Sequence, residues 1–425
     1  MKKILIIVIL LLGNIILCSC GFNNNKIDTR PLLENEPYRL LSKSKRSIAS
    51  EVSKTNESLD LTDLWNLNNL LSSRLIDDND NRVCSPLSFY MGLAILSQGT
   101  SNVDQIDEFN RLISDNKIYD QNIKLIIDSN YDTKWGTDIV SNSLWYRGDF
   151  SINSSFIEKI NKKYYVDSYL VDFNSDSGKN AIIEWINDST KNFMNLDSNN
   201  YLIEDNLDCL LLNTIYFDNK WLNQFIPVNN RIFYDGKGNE YLTPFMGNET
   251  NALYCKIVKE GLTYEAICHE LMYGNKMYFI MCDSGKTTDC LNIKLDEIMA
   301  KFEIKRVQTL LPKFAYEDQI DYKKVLLASG YHYIFEKPYD LITNDSLFIN
   351  SMSQKIKIDV NYDGVKAAGV FQMSMGGTPS TEDVVYVTLD HPFLFYITDI
   401  NEVILFVGSL NKPTFEAESN INPFN

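Results

Sequence analysis

Apolar residues recur along this chain with two different periods. Leu64, Leu67, Leu71 and Leu75 are three or four positions apart, which predicts an amphipathic helix starting near Leu61. The turn-forming run Asp77-Asp78-Asn79-Asp80-Asn81 ends it. Ser85-Pro86 then supplies an N-cap and a proline at the first helical position. The following run, Leu87 to Leu96, is apolar nearly all round, so a helix buried on every side is expected, with Gly99 as its stop. Farther along, strand patterns take over. The stretch from Asp208 to Phe217 is apolar on both faces, as a central strand of a covered sheet must be. Ile356, Ile358 and Val360 alternate with Lys357 and Asp359, the mark of a half-buried strand. Val384–Leu389, Phe393–Ile397 and Val403–Val407 read as a closing strand series. The pattern predicts one mixed α+β domain over residues 59–413, followed by a tail at 414–425.

Before residue 59 no apolar period is sustained. Residues 20–58 are polar, with Asn23-Asn24-Asn25 and a small basic cluster at Lys43, Lys45 and Arg46. They are expected to be a tether spanning up to roughly 120 Å if fully extended. The first nineteen residues pair Lys2 and Lys3 with an apolar run from Ile4 to Leu17, too short for a transmembrane helix and shaped like a signal peptide. The run ends in Leu17-Cys18-Ser19-Cys20, which resembles the bacterial lipobox. That resemblance implies cleavage before Cys20, lipidation of its thiol, and a chain held at the cell surface or another extracytoplasmic membrane face. Without lipidation, the same segment implies secretion.

Charge and chemistry narrow the functional classes. The net charge is −16, becoming −18 once Lys2 and Lys3 are removed with the signal. Nucleic acid is an unsuitable partner, because phosphate binding needs a basic face. Six cysteines remain after Cys18 and Cys20: Cys84, Cys209, Cys255, Cys268, Cys282 and Cys290. They form no C-x-x-C pair or disulfide-framework spacing and are expected to be small apolar core residues. His269, His332 and His391 are scattered, and no metal site is expected. There is no G-x-S-x-G, H-E-x-x-H or phosphate-cradling loop. An enzyme is not expected, and no cofactor is implied.

One segment departs from the rest. Ala367–Thr381 has no charged residue in fifteen, where a chain 23% charged would place about three or four. It lies between two clear strands, in a connection of about twenty residues, which is long for a compact domain unless it is functional. Read with a period of two, Val365, Ala367, Gly369, Phe371, Met373 and Met375 share one wholly apolar face. A loop therefore carries the pattern of a strand with one face to bury. An edge strand ending at Gly376-Gly377 has the same composition.

Five motifs in order give this chain a family resemblance. Gly364-Val-Lys-Ala-Ala-Gly369 resembles the proximal hinge of a serpin reactive loop, and Leu389-Asp-His-Pro-Phe-Leu-Phe-Tyr-Ile397 resembles the serpin signature. Asn213-Thr-Ile-Tyr-Phe-Asp-Asn-Lys-Trp221 resembles the central strand and breach, Ser85-Pro86-Leu87-Ser88 the buried helix, and Leu311-Pro312-Lys313-Phe314 a further landmark. The resemblance implies three β-sheets, eight or nine helices and an exposed reactive loop. It also implies a protease inhibitor that traps a serine or papain-like cysteine endopeptidase as an acyl-enzyme while its loop inserts into the large sheet. Gly364, Val365, Ala367, Ala368 and Gly369 would form the hinge, with Val365 the leading side chain. Ser85, Ser88, Asn213, Trp221 and Gln354 would line the shutter and breach, with Gln354 bridging Ser85 and Asn213. Tyr362 stands where the family usually has glutamate, Gln354 where histidine is common, and Phe371 is bulky for an inserting position. A non-inhibitory serpin-fold surface lipoprotein therefore stays open beside the inhibitor. Counting along the loop as the family does gives Thr378-Pro379 as the reactive bond. Cleavage before proline is disfavoured, so the window is Met375 to Thr381. That window holds no Arg or Lys and favours elastase-, subtilisin- or papain-like targets over trypsin-like ones, acting on a monomer.

Overall fold

The computed structural model describes residues 27–52, 59–114, 116–365 and 384–415. Among them are ten α-helices, several of a single turn, and three β-sheets. The eight-stranded sheet runs in the order Tyr38–Ser42, Val166–Val171, Gly136–Arg147, Cys209–Lys220, Gly364–Val365, Ser353–Val360 and Phe314–Asp321. Tyr131–Asp132 pairs with the start of Gly136–Arg147. The nine-stranded sheet is built on Glu303–Pro312, Phe245–Lys259, Leu262–Glu270, Lys276–Cys282, Phe393–Thr398 and Ile404–Leu410, with Val385–Thr388 parallel at one edge. Arg231–Tyr234 and Glu240–Thr243 form the third sheet.

The apolar periods account for the layering. Thr62–Leu75 is the expected first helix, with Leu64, Leu67 and Leu71 buried. Pro86–Ser97 is the expected buried helix, and every residue from Pro86 to Leu96 is shielded from solvent. The Ser85 hydroxyl accepts the Ser88 N–H at 3.1 Å and caps it. This helix packs against both Cys209–Lys220 and Ile404–Leu410, so it wedges the two large sheets apart. Burying each of its large side chains contributes about 1.5–3 kcal/mol. Gly99 follows the helix without a left-handed turn; a side chain there would strike Ile342.

The tether expectation is corrected. Residues 27–52 are docked on the domain, and Tyr38–Ser42 is the edge strand of the eight-stranded sheet, antiparallel to Val166–Val171. Before it, the Leu32 N–H donates to Gly148 O. After it, Lys43 Nζ reaches Asp167 at 2.6 Å and the Ser44 N–H reaches the same carboxylate at 2.7 Å. The Arg46 guanidinium donates to Val140 O and to Ser141 Oγ, and Ala49 bridges Tyr131. Lys43 and Arg46 of the basic cluster are thus fasteners on the sheet. At the other terminus Thr414 also stays attached, its hydroxyl accepting the Ala315 N–H at 2.9 Å. Residues 1–26, including the expected signal and Cys20, lie outside the described residues, as does the tail beyond 415.

Candidate functional site

The central strand, Cys209–Lys220, and the returning strand, Ser353–Val360, are neighbours in the large sheet that pair with each other nowhere. Only the two-residue strand Gly364–Val365 joins them, at one end. Val365 lies opposite Asn219 on one side and Val360 on the other, and is buried. The expectation that Val365 is the first side chain to enter is therefore revised: it is already seated. Gly364 is required by contact, because a Cβ there would run into the Asn219 carbonyl oxygen and Lys220 Cα.

Below Val365 the facing edges of the two strands hold no ladder partner among the described residues. A narrow cleft with a volume of about 80 Å³ lies between them, lined by Ser88, Asn213, Phe217, Gln354, Ile356 and Ile358 among others. Four of the five predicted shutter and breach residues converge at or beneath this cleft; Trp221 sits at its mouth. Gln354 behaves only partly as expected. Its Oε1 accepts the Ser85 N–H at 3.0 Å, but its other partner is the Tyr322 hydroxyl at 2.6 Å, not Asn213. Asn213 instead donates to Asn142 Oδ1 at 2.6 Å across the adjoining ladder. The remaining acceptor of Asn213 and the Ser88 hydroxyl are buried and without a protein partner among the described residues. Tyr322 and Asn142 were missed from the sequence, since nothing local marks either one.

At the mouth of the cleft, the turn before the hinge is fixed by hydrogen bonds. The Trp221 indole N–H donates to Asn361 O at 2.9 Å and its backbone N–H to Asp363 O at 3.0 Å. Gln224 adds a bond to the Asp363 carboxylate at 2.9 Å. Trp221 packs tilted against Phe225, and both rings meet His269 edge-on. Burial pushes the His269 imidazole down to about 3, so it is neutral, with Nε2 2.9 Å from Thr309 Oγ1. His269 is therefore a structural residue of the breach. Tyr362 lies beneath the Lys313 ammonium at 5.8 Å, so the position where the family usually carries glutamate holds an aromatic contact. Ala367, Ala368, Gly369 and the reactive window Met375 to Thr381, with Thr378 and Pro379, lie outside the described residues.

Among the described residues the large sheet is gapped at its centre, with a short strand seated at one end of the gap, which leaves room in the register for one more strand. The sequence model of the family described as serpin (serine protease inhibitor) matches residues 66–413, and the chain belongs to that family. Human neuroserpin is 26% identical over 372 residues, covering 80% of this chain and 88% of that protein. A serpin-like protein of Methanosarcina acetivorans is 26% identical over 375 residues, covering 81% and 85%. Among solved structures, the thermophilic serpin tengpin in its native state superposes with a TM-score of 0.72 at 22% identity, covering 87% of this chain and 100% of that one. The expected α+β serpin fold is the observed fold, with ten helices where eight or nine were expected. Serpins are as a class protease inhibitors rather than catalysts.

Proposed function

We propose that this chain inhibits an endopeptidase by offering residues 366–383 as bait and inserting them into its own sheet after attack. The observation that carries the reading is the seating of Gly364–Val365 between two strands whose remaining facing edges have no ladder partner among the described residues. Extending that register places Ala367 between Phe217 and Ile358, and Gly369 between Ile215 and Ile356. Phe371 then falls between Asn213 and Gln354, and Met373 between Leu211 and Met352. Every position of the apolar face meets the core side of the sheet, and each new backbone bond adds about 0.5–1.5 kcal/mol. Phe371 would fall over Ser88, which lines the cleft. Attack breaks one peptide bond within Met375 to Thr381: the carbonyl carbon becomes an ester or thioester of the protease nucleophile, and the nucleophile's proton goes to the nitrogen that leaves as the amino terminus of the C-terminal fragment. Insertion then carries that acyl group away from the hinge. The uncharged window favours elastase-, subtilisin- or papain-like proteases, acted on by a monomer.

Incubation with a panel of such proteases tests this. A complex that survives denaturing electrophoresis is expected, together with a C-terminal fragment whose mass fixes the reactive bond. A single cut in the loop should also raise the melting temperature well above that of the intact protein. Cleavage with neither a complex nor a raised melting temperature would overturn the insertion mechanism. A raised melting temperature without complex would favour the non-inhibitory surface protein. We also infer that Cys20 carries a lipid that holds the protein at an extracytoplasmic membrane face. Cys20→Ala should release it into the soluble fraction or block its processing; unchanged partitioning and processing would refute the anchor.

A further inference from the structure

A buried polar joint holds the strand edge on which the hinge is seated. Tyr131 lies in the short strand beside the start of Gly136–Arg147, directly opposite Asp138. Asn219 lies on the other side of that same strand, opposite Gly136. The two side chains nonetheless meet: Asn219 Nδ2 donates to the Tyr131 hydroxyl at 2.8 Å across the intervening strand. Gly136 leaves room for this, because a Cβ there would stand 2.9–3.1 Å from the Asn219 amide group. A second amide, Asn275 Nδ2, donates to the same hydroxyl from the turn before Lys276–Cys282. Two N–H donors thus fill both lone pairs of one hydroxyl. All three residues are buried, so losing either bond leaves an amide unpaired away from water.

The joint closes a circuit around the hinge. Asn275 O accepts the Leu271 N–H at 2.8 Å, and Leu271 bridges Trp221. Trp221 holds Asp363 O on one side of Gly364, and Asn219 lies opposite Val365 on the other. The edge that seats the hinge is therefore gripped at both of its contact points, and the two grips are tied together through Asn275 and Tyr131. A strand side chain stands roughly perpendicular to its sheet. The Asn219 amide can thus be fixed beneath the sheet while its backbone pairs with Val365 in the plane, and fixing the one sets the position of the other.

We propose that Tyr131 is a positioning residue for loop insertion: acting through Asn219, it holds the first rung, Val365 against Asn219, as the template on which the following residues pair. The inference rests on the insertion reading above and adds where insertion is nucleated. Ordering the first residue of a new strand has no completed pair to offset it, so a preformed rung speeds every later step. Without the hydroxyl, Asn219 Nδ2 is buried and unpaired, and the edge frays to relieve it. Insertion then slows, and hydrolysis of the acyl-enzyme overtakes it.

Tyr131→Phe keeps the ring and removes the acceptor; Asn219→Ser leaves a side chain too short to reach the hydroxyl. In either variant, hydrogen exchange over residues 361–365 should accelerate about tenfold. With any protease that wild type traps, the complex-to-cleaved ratio should fall by a similar factor while the rate of loop cutting stays unchanged. The double variant should fall no further, since both changes remove one bond. Tyr273→Phe is the control. Its hydroxyl accepts the Thr133 hydroxyl at 2.9 Å and its ring meets Tyr131 edge-on at 5.5 Å, so it perturbs the same region without touching the Asn219 bond. Exchange and trapping should stay at wild-type values there. The two single variants are independent, so a loss of folding in one leaves the other to decide. Wild-type exchange and trapping in a folded single variant, additive falls in the double variant, or an equal fall in Tyr273→Phe would overturn the proposal. A wild type that traps no protease would instead refute the insertion reading, whereas unchanged exchange at the hinge, which needs no protease, would refute the role of Tyr131 alone.

Discussion

Lys366 is the most discriminating place to test the register of insertion. In the seated hinge, Gly364 lies opposite Lys220, and Val365 lies opposite Asn219 and Val360. One step further, Lys366 falls between Asp218 and Asp359, on the face away from the apolar core. Both carboxylates belong to half-buried residues, and neighbouring strands lie about 4.8 Å apart, so an inserted Lys366 ammonium meets one acid on each side. Each opposite-charge cross-strand pair contributes about 0.2–1 kcal/mol, and like charges cost a similar amount. Lys366→Glu loses two attractions and gains two repulsions, a swing of about 2 kcal/mol, or roughly 30-fold in the rate of the inserting step. Attack at the distant reactive bond keeps its rate. The variant should therefore be cut as fast as wild type while the ratio of covalent complex to cleaved chain falls, most at low salt. Asp359→Lys added to Lys366→Glu should restore complex yield. The readout is the complex-to-cleaved ratio on a denaturing gel, with any protease that wild type traps. Equal yields from all three proteins, or no recovery in the double variant, would mean that the register is not continued past Val365.

Gly364→Ala places a methyl group against Asn219 O and Lys220 Cα, so the hinge should peel off the central strand; amide exchange at Val365 should accelerate, and unchanged protection would refute the contact. Burial keeps His269 neutral, pushed down to about 3 in the fold against about 6.5 when exposed. The unfolded chain thus binds a proton below pH 6.5 that the fold refuses until about pH 3. This contribution to stability is complete above 6.5 and is lost as pH falls, by about 3 kcal/mol near pH 4.5. His269→Gln should remove that slope from urea unfolding curves, and parallel pH profiles would exclude it. Asp167→Asn weakens the anchor shared by Lys43 and the Ser44 N–H, and about 1–2 kcal/mol of docking should be lost. Limited proteolysis should then cut residues 43–52 sooner, with the core untouched; equal cutting would show that the segment is held elsewhere.

Of the expected hinge only Gly364 and Val365 are described, and both are seated in the sheet; in the sequence a period of two runs over 365–375 without a break, the pattern that burial on one face would impose. The buried helix was legible for the opposite reason, having no polar side at all. The edge strand Tyr38–Ser42 left no such trace. Only Leu41 is buried, so Tyr-Arg-Leu-Leu-Ser neither alternates nor clusters. Its docking depends on Lys43, Ser44 and Arg46 meeting Asp167, Val140 O and Ser141, and a basic residue in sequence does not reveal a distant acceptor. The Gln354 bridge failed similarly. Its bond to Ser85 followed from the resemblance, whereas the choice of Tyr322 over Asn213 is decided by the packing of the 322–328 helix, which nothing near Gln354 encodes.

If Cys20 carries the proposed lipid, the docked N-terminal segment shortens the leash to the membrane. A free tether from Cys20 to residue 58 would let the domain wander up to roughly 120 Å from a membrane; with Ile27 onward fastened, only seven residues remain, about 24 Å at full stretch. The fastening also chooses which pole stays near the lipid. Leu32 is pinned at Gly148, beside the Cys209 end of the central strand, and the hinge lies at the Lys220 end, some 40 Å away along twelve residues. A lipid on Cys20 would hold the bait facing outward, and a loop inserting from Val365 toward Cys209 would draw its captive down to the membrane-facing pole.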